Sequence, residues 1–544
     1  MSVRRGRPAT RHRDIAHPWW QEAVVYQIYP RSFCDTSGNG VGDLAGVRRH
    51  LDHMAWLGVD AVWLSPIFPS PMADHGYDVA DYRDVDPLFG TLDELDLLVH
   101  EAHALGLRVL LDWVPNHTSD AHPWFVASRS SRADPKRDWY LWADGTPDEP
   151  PNAWRAIFPS GSAWTWDEPT EAWYYHRFTP QQPDLNWANP QVQQAMHDTL
   201  RFWLDRGVDG FRMDVIHQIG KDPARIHRRV GDGPNDVAHT HALLRDIRAL
   251  LDGYPGERVA VGEVYILDVE KAATYVGVGP DGDELHLGFN FVPLFLPWEA
   301  DTWRRHIATT ERAYGARAAW PTWVLSNHDI PRHRSRLGSE ARARAAAVLL
   351  LGLRGTPFLY AGEELGLEDA EVPHEQVQDP SGLRDGCRAP VPWSGPPDYG
   401  WSGETPWLPW PPDVDRRNAA GLRDDPRSIL HLYRRLLAAR RASAALRHGD
   451  QAMLPPVVGE DRDDVLAWER RMPDSNASGQ GDTKPRDVRL VAINFAGASR
   501  PLDLGAASQV AAWDVEIASD GAGEGTPFRG ELAPSQAVLL RPRR

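Results

Sequence analysis

Charged and imidazole side chains recur at one kind of place in this sequence, the ends of short apolar runs. GFRMDVI (210–216) carries Arg212 and Asp214 among Phe211, Met213, Val215 and Ile216, the composition of a strand packed on both faces. VGEVY (261–265) carries Glu263, SNHD (326–329) ends on His328 and Asp329, and DWVPNH (112–117) ends on Asn116 and His117. A charge buried without a partner costs roughly several kcal/mol, so these placements need a reason. Three fit the residue types. The carboxylates could form structural ion pairs with Arg212, or they could ligate a metal, since carboxylates and His are common ligands. They could also form the pair of carboxyls, one ionised and one protonated, that cleavage of a glycosidic bond requires. Arg212 lies two residues from Asp214, on the same face of a strand, and its charge favours an ionised Asp214. Val261 and Val264 give Glu263 an apolar setting, which favours its protonated form.

The elements that must position these groups alternate. Strand-like runs at 24–30, 59–66, 108–117, 208–216, 258–265, 285–292, 322–329 and 356–365 are separated by helical spacings. Leu92, Leu95, Leu98, Val99, Ala102 and Leu105 form one such spacing, and Val192, Met196, Leu200 and Trp203 another. Eight strands alternating with helices predict an α/β fold, a parallel (β/α)₈ barrel whose strand C-termini build the active site. An open doubly wound sheet is the alternative, but no Gly-rich phosphate turn accompanies it. Two interruptions stand out. Residues 118–185 are too long for a βα connection and predict a small inserted domain over the mouth; residues 367–426 form a long loop rich in Pro and Trp. The expected organisation is a disordered tail (1–18), a barrel (19–117 and 186–446), the insert (118–185) and a C-terminal β-sandwich (447–544).

Composition excludes several classes. The 544 residues hold 59 Lys and Arg against 76 Asp and Glu, a net charge of −17, which argues against nucleic acid or an anionic membrane as partner. No apolar run approaches the roughly 20 residues of a membrane span. The basic first 18 residues lack the apolar core of a signal peptide. Cys34 and Cys387 are the only cysteines, which leaves neither a disulfide framework nor a zinc cluster. A cytoplasmic protein without an organic cofactor is expected. The 24 Trp serve mostly in packing, although aromatic rings also stack on sugars.

DWVPNH, GFRMDVI, VGEVY and SNHD, in this order, resemble the four signature segments of the alpha-amylase family of glycoside hydrolases. QPDLNW (182–187) and SPMADHGYDVADY resemble its alpha-glucosidase and oligo-1,6-glucosidase branch. The resemblance covers about residues 19–544. It implies that Asp214 is the nucleophile, Glu263 the acid/base and Asp329 the residue that grips the distorted sugar. The two reacting carboxyls would stand about 5–5.5 Å apart, as in retaining enzymes. His117 and His328 would bond glucose hydroxyls, and Asp74 and Tyr77 would hold the terminal glucose. Arg384 or Arg388, in LRDGCRAPVPW, would close the pocket against Asp74, and Arg212 and Val215 would complete the substrate site. Val215 in particular would favour alpha-1,6 linkages. The loop DTSGNGVGD (35–43) resembles the family's metal loop, with Asp35, Ser37, Asn39, the Val41 carbonyl and Asp43 as structural Ca²⁺ ligands; Ser37 and Asn39 stand where acidic residues are common, and a plain polar turn is the alternative. The implied activity is exo-acting release of glucose from short alpha-glucosides. Transglucosylation or sugar isomerisation on the same scaffold is the near alternative, and a non-catalytic transporter subunit the distant one.

Overall fold

The computed structural model describes residues 17–543 except 159–160, 228–232, 280–281, 404, 456–463, 473–486, 505–507 and 509. The expected tail thus lies almost wholly outside the described residues, as does the polar loop 473–486. Eight parallel strands form the central sheet: β1 (Val25–Ile28), β2 (Ala61–Leu64), β3 (Arg108–Trp113), β7 (Gly210–Met213), β8 (Val259–Gly262), β9 (Leu287–Gly288), β10 (Thr322–Val324) and β11 (Thr356–Tyr360). Their order is β10-β11-β1-β2-β3-β7-β8-β9. Between β9 and β10 the seam is bridged by a side chain. Thr322 Oγ1 donates to the Gly288 carbonyl at 2.9 Å and accepts from Asn290 N–H at 3.0 Å.

Alternation explains why these runs are barrel strands. Ala61 and Trp63 point into a core with Val25, Leu110, Val261, Phe289 and Phe358, while Val62 and Leu64 join the larger core under the helices. The barrel interior is therefore packed with side chains, as barrels of this size require. Gly210 opens β7 because a Cβ there would lie 2.3 Å from the Val259 carbonyl. The predicted helices form at Leu92–Ala104 and Pro190–Asp205. Thr91 and Glu94 cap the first reciprocally, and Asn189 with Pro190 starts the second.

The insert folds as an antiparallel sheet of β4 (Trp142–Asp144), β5 (Trp164–Asp167) and β6 (Ala172–Tyr175) around Trp154, Trp164, Trp173 and Tyr175. A bridge between His117 and Asp184 ties its two ends to the mouth of the barrel. After the last barrel helix, Ile429–Ala442, come β12 (Asp450–Met453), β13 (Val465–Arg471), β14 (Val488–Asn494), β15 (Arg500–Pro501), β16 (Trp513–Ala518), β17 (Glu531–Leu532) and β18 (Ala537–Pro542). Five of these make one antiparallel sheet, and β15 pairs with β17. One face of the larger sheet joins the barrel's core through Trp468, Val491 and Leu539, and the other packs Leu490, Val515 and Leu540 against Leu502 and Leu532. No helix among the described residues is long and apolar enough to cross a membrane.

Candidate active site

A cavity of about 650 Å³ opens at the C-terminal ends of the barrel strands. Asp214, Glu263 and Asp329 line it together with Asp74, Tyr77, His117, Val215, His328 and Arg384. Two clusters of carboxylates, each built on an arginine, organise this lining.

The first is centred on Arg212, which points inward from β7. Its register partner on β3 is Asp112. One guanidinium nitrogen donates to Asp112 Oδ1 at 2.8 Å and to Asp214 Oδ1 at 2.6 Å, and another donates to Glu263 Oε2. Burial raises the Asp112 carboxyl to about 6 against the opposing charge of Arg212. Burial also raises Asp214 well above the usual carboxylate range; Arg212 opposes this, and Glu263 and Asp112 add to it. Glu263 lies within hydrogen-bonding reach of Asp214. Sequence reasoning gave Asp214 one charged neighbour, Arg212, and an ionised state. The fold adds burial first, and then two carboxylates, and together these outweigh Arg212. Arg212 itself does not line the cavity. It is buried behind the lining and holds the Asp214 and Glu263 carboxyls, so its expected place among the groups lining the site is corrected.

The second cluster is centred on Arg384. Its guanidinium donates to Asp74 Oδ1 at 2.6 Å, Asp329 Oδ1 at 3.2 Å and Asp379 Oδ1 at 2.7 Å. Arg388 also donates to Asp329 Oδ1, at 3.1 Å, and to the His328 carbonyl at 2.8 Å. Burial alone would raise Asp329 and Asp379. For Asp329 the His328 ring, Arg384, Arg388 and Arg212 outweigh it, and for Asp379 Arg384, Ser381 and Arg388 do, so both carboxyls sit well below the ordinary range. The sequence left the roles of the two arginines unseparated, and the structure separates them. Arg384 lines the cavity and closes against Asp74; Arg388 is fully buried behind Asp329, so its expected place among substrate-binding groups is corrected.

His328 joins the clusters. Gln27 donates its amide N–H to Nδ1 at 2.7 Å, so the ring proton sits on Nε2, 2.7 Å from the Tyr77 oxygen. Tyr77 O–H in turn donates to Asp112 Oδ2 at 3.0 Å. Burial pushes His328 down to about 3, which keeps it neutral. It is stacked on Tyr77 at 5.5 Å. His117 is buried too, and Gln182 reaches from the insert to both His117 and Asp74 Oδ2. Val215 has φ +35°, a left-handed conformation that costs a β-branched residue about 1–3 kcal/mol. That turn lets its N–H face Glu263 Oε2 at 3.2 Å.

The Asp35–Asp43 loop does not fit a cation cradle. Asp35 accepts from the N–H groups of Ser37, Gly38 and Gly40 and from the Ser37 hydroxyl. Asp43 accepts from Thr36 and from Gly46 N–H, and Asn39 Oδ1 from Val41 N–H. These side-chain oxygens are thus already engaged by donors of the loop and of the helix that follows it.

Sequence reasoning missed Asp112, Gln182, Asp379 and the aromatic lining Phe158, Phe178 and Tyr265. Asp112 could have been found, since it opens DWVPNH on the inward parity of its strand. Asp379 sits in a loop, VQDPSG, that carries no periodic signal. No Trp lines the cavity among the described residues; those rings are packing.

A parallel barrel with three carboxylates at its strand ends, an insert after the third strand and a C-terminal sheet defines a class of glycoside hydrolase. Residues 27–449 match the family Alpha amylase, catalytic domain, and the chain belongs to this family. Among curated relatives, a probable alpha-glucosidase of Rhizobium meliloti is 46% identical over 470 residues, covering 79% of this chain and 84% of its own length. An oligo-1,6-glucosidase of Heyndrickxia coagulans is 38% identical over 492 residues, covering 80% and 88%. Among solved structures, the alpha-glucosyl transfer enzyme XgtA is 40% identical with a TM-score of 0.82, over 97% of this chain and 100% of that one. The trehalulose synthase MutB of Pseudomonas mesoacidophila is 31% identical with a TM-score of 0.84, over 97% and 100%.

Proposed function

We propose that this enzyme is a retaining, exo-acting alpha-glucosidase that removes glucose from the non-reducing end of short alpha-glucosides. The observation that carries this reading is the closed end of the cavity, where Arg384 bonds Asp74 at 2.6 Å. A chain cannot thread past that pair, so only a terminal glucose reaches Asp214. The Asp214 carboxylate attacks the anomeric carbon as the Glu263 carboxyl gives its proton to the departing oxygen. A glucosyl ester forms on Asp214. Glu263, now ionised, takes a proton from water, whose oxygen attacks the anomeric carbon and frees the Asp214 carboxylate. Asp329, ionised by its cations, and neutral His328 and His117 hold the sugar's hydroxyls.

A sugar or other alcohol in place of water gives transfer, or isomerisation if the released sugar re-attacks; the likeness to a transfer enzyme and a trehalulose synthase supports this second fate. Val215, directly after the nucleophile and against Glu263, supports cleavage of alpha-1,6 as well as alpha-1,4 bonds. The two free cysteines support a cytoplasmic site of action. Glucose release from maltose, isomaltose, kojibiose and sucrose tests the reading. Cleavage of none of them, or a rapid fall in starch viscosity with little free glucose, would refute it. Val215→Thr should shift the isomaltose-to-maltose ratio of kcat/KM by about tenfold, because one side-chain group is worth about 1–3 kcal/mol of discrimination.

A further inference from the structure

The cavity changes character with depth. Its closed end is polar and buried: His117 is 1% exposed, Asp74 3% and His328 1%. Its mouth is apolar and open. Ile157 from the insert is 46% exposed, Tyr265 after β8 is 45% and Leu383 beside Arg384 is 82%, and all three line the same cavity with Val215 and Ile330. Tyr265 is backed by Phe291 and Phe295, with ring centroids 5.2 and 6.4 Å away. Large side chains of this kind are exposed together at a functional surface more often than by chance. The polar groups at this level are largely engaged with the protein: the Ser381 hydroxyl donates to Asp379, and His217 bonds the Glu263 carbonyl at 3.1 Å and Gln218 at 3.2 Å. Arg177, whose guanidinium donates to the Arg155 carbonyl at 3.3 Å, and Asn235 are the remaining polar side chains of the rim. A second sugar would find few fixed partners for its hydroxyls here, whereas a hydrocarbon would bury against the rim.

From this contrast we infer that the group leaving or entering beyond Glu263 is preferentially apolar, so that the enzyme both cleaves alpha-glucosides of hydrophobic alcohols and transfers glucose to such alcohols. The inference rests on the glucosidase reading above. In the transfer step, the alcohol oxygen attacks the anomeric carbon of the Asp214 glucosyl ester, the ester bond breaks to return the Asp214 carboxylate, and the hydroxyl proton goes to Glu263. No further reactant is needed.

The test uses the full chain and the alpha-glucosides of methanol, butanol and hexanol, whose leaving oxygens are nearly equal in basicity, so that Glu263 does the same work on each. The expected result is that kcat/KM rises roughly three- to tenfold from methyl to hexyl as chain methylenes are buried, and that butanol captures more of the glucosyl intermediate than equimolar glucose does. Leu383→Ser and Ile157→Ser, at exposed positions, should reduce the hexyl-over-methyl ratio. If maltose or isomaltose is hydrolysed but hexyl is no better than methyl, or if both substitutions leave the ratio intact, the inference is overturned while the glucosidase reading stands. If no alpha-glucoside is cleaved, the glucosidase reading falls, and this inference falls with it.

Discussion

Arg212 and Arg384 each hold three carboxylates, yet Asp112 and Asp214 in the first cluster shift opposite to Asp329 and Asp379 in the second. Around Arg212, among the described residues, one cation contacts Asp112, Asp214 and Glu263. The negative excess is buried, and it holds protons more readily than free carboxyls do: Asp112 rises to about 6 and Asp214 rises well above its ordinary value, burial being the largest cause for both. Around Arg384 the carboxylates are Asp74, Asp329 and Asp379, and Arg388 lies beside the last two. Two cations for three carboxylates outweigh burial, and Asp329 and Asp379 stay ionised. The ratio of cations to carboxylates thus decides whether a cluster can pass a proton or can only hold charge. In the proposed function, acid/base chemistry falls to the first cluster and gripping of the sugar to the second.

The largest expected effect lies in the first cluster. Asp214→Asn should lower kcat about 10⁴-fold or more, as loss of a nucleophile that acts with its partners does. Glu263→Gln should spare aryl glucosides with good leaving groups relative to maltose, because such groups need little protonation. Equal loss on both substrates would remove Glu263 from the acid role.

Next comes the cation itself. Arg212→Leu leaves three carboxylates without a positive partner, which should destabilise the protein by about 3–5 kcal/mol at neutral pH. Denaturant unfolding measures it, and Asp112→Asn added to the same chain should recover part of the loss. Arg212→Lys keeps the charge but not the planar fork that reaches several acceptors, so it should fold better than the Leu variant and still lose activity. A Leu variant as stable as the parent would break the idea that one guanidinium balances this cluster.

The smaller, sharper test is pH. Asp112 titrates at about 6 in the folded protein against 3.8 ordinarily, so the folded state binds the extra proton. The stability this brings is full below about pH 4 and is lost as pH rises through 6. The destabilisation caused by Asp112→Asn, which cannot ionise, should therefore shrink as pH rises across that window. Asp329 is depressed and has the opposite sign: its contribution is present above the ordinary carboxylate range and is lost as pH falls below it. The cost of Asp329→Asn should fade in acid. Parallel pH profiles for the two variants would mean that the clusters do not differ as described.

Much of this was legible in the sequence for physical reasons. A strand packed on both faces has no room for an idle charge, so Arg212, Asp214, Glu263 and Asp329 announced themselves against apolar neighbours. The eight strands were legible because β-branched runs alternate with a helical period. The upward shift of Asp214 was not legible, because it depends on burial and on Asp112 and Glu263, 102 and 49 residues away in the chain. Nor was the division of labour between Arg384 and Arg388, which lie on one short turn. Only the packing sends one into the cavity and the other behind Asp329.

A third set of carboxylates extends the comparison to a loop where, among the described residues, the donors to Asp35 are N–H and O–H groups rather than a guanidinium. In the loop at 35–43, Asp35 is fully buried and its four acceptor contacts come from Ser37, Gly38 and Gly40. Backbone N–H groups do here what guanidinium does in the cavity, since a carboxylate with several such donors is well solvated by the chain. Adding Ca²⁺, or chelating it with EDTA, is accordingly expected to leave the melting temperature unchanged, read by calorimetry on full-length protein. Asp35→Asn should lower that temperature whether or not Ca²⁺ is present, because the loss is of N–H acceptors and not of a metal ligand. A rise in melting temperature with Ca²⁺ that disappears in Asp35→Asn would restore the cation to this loop, and would show that N–H donors and a metal share the same oxygens.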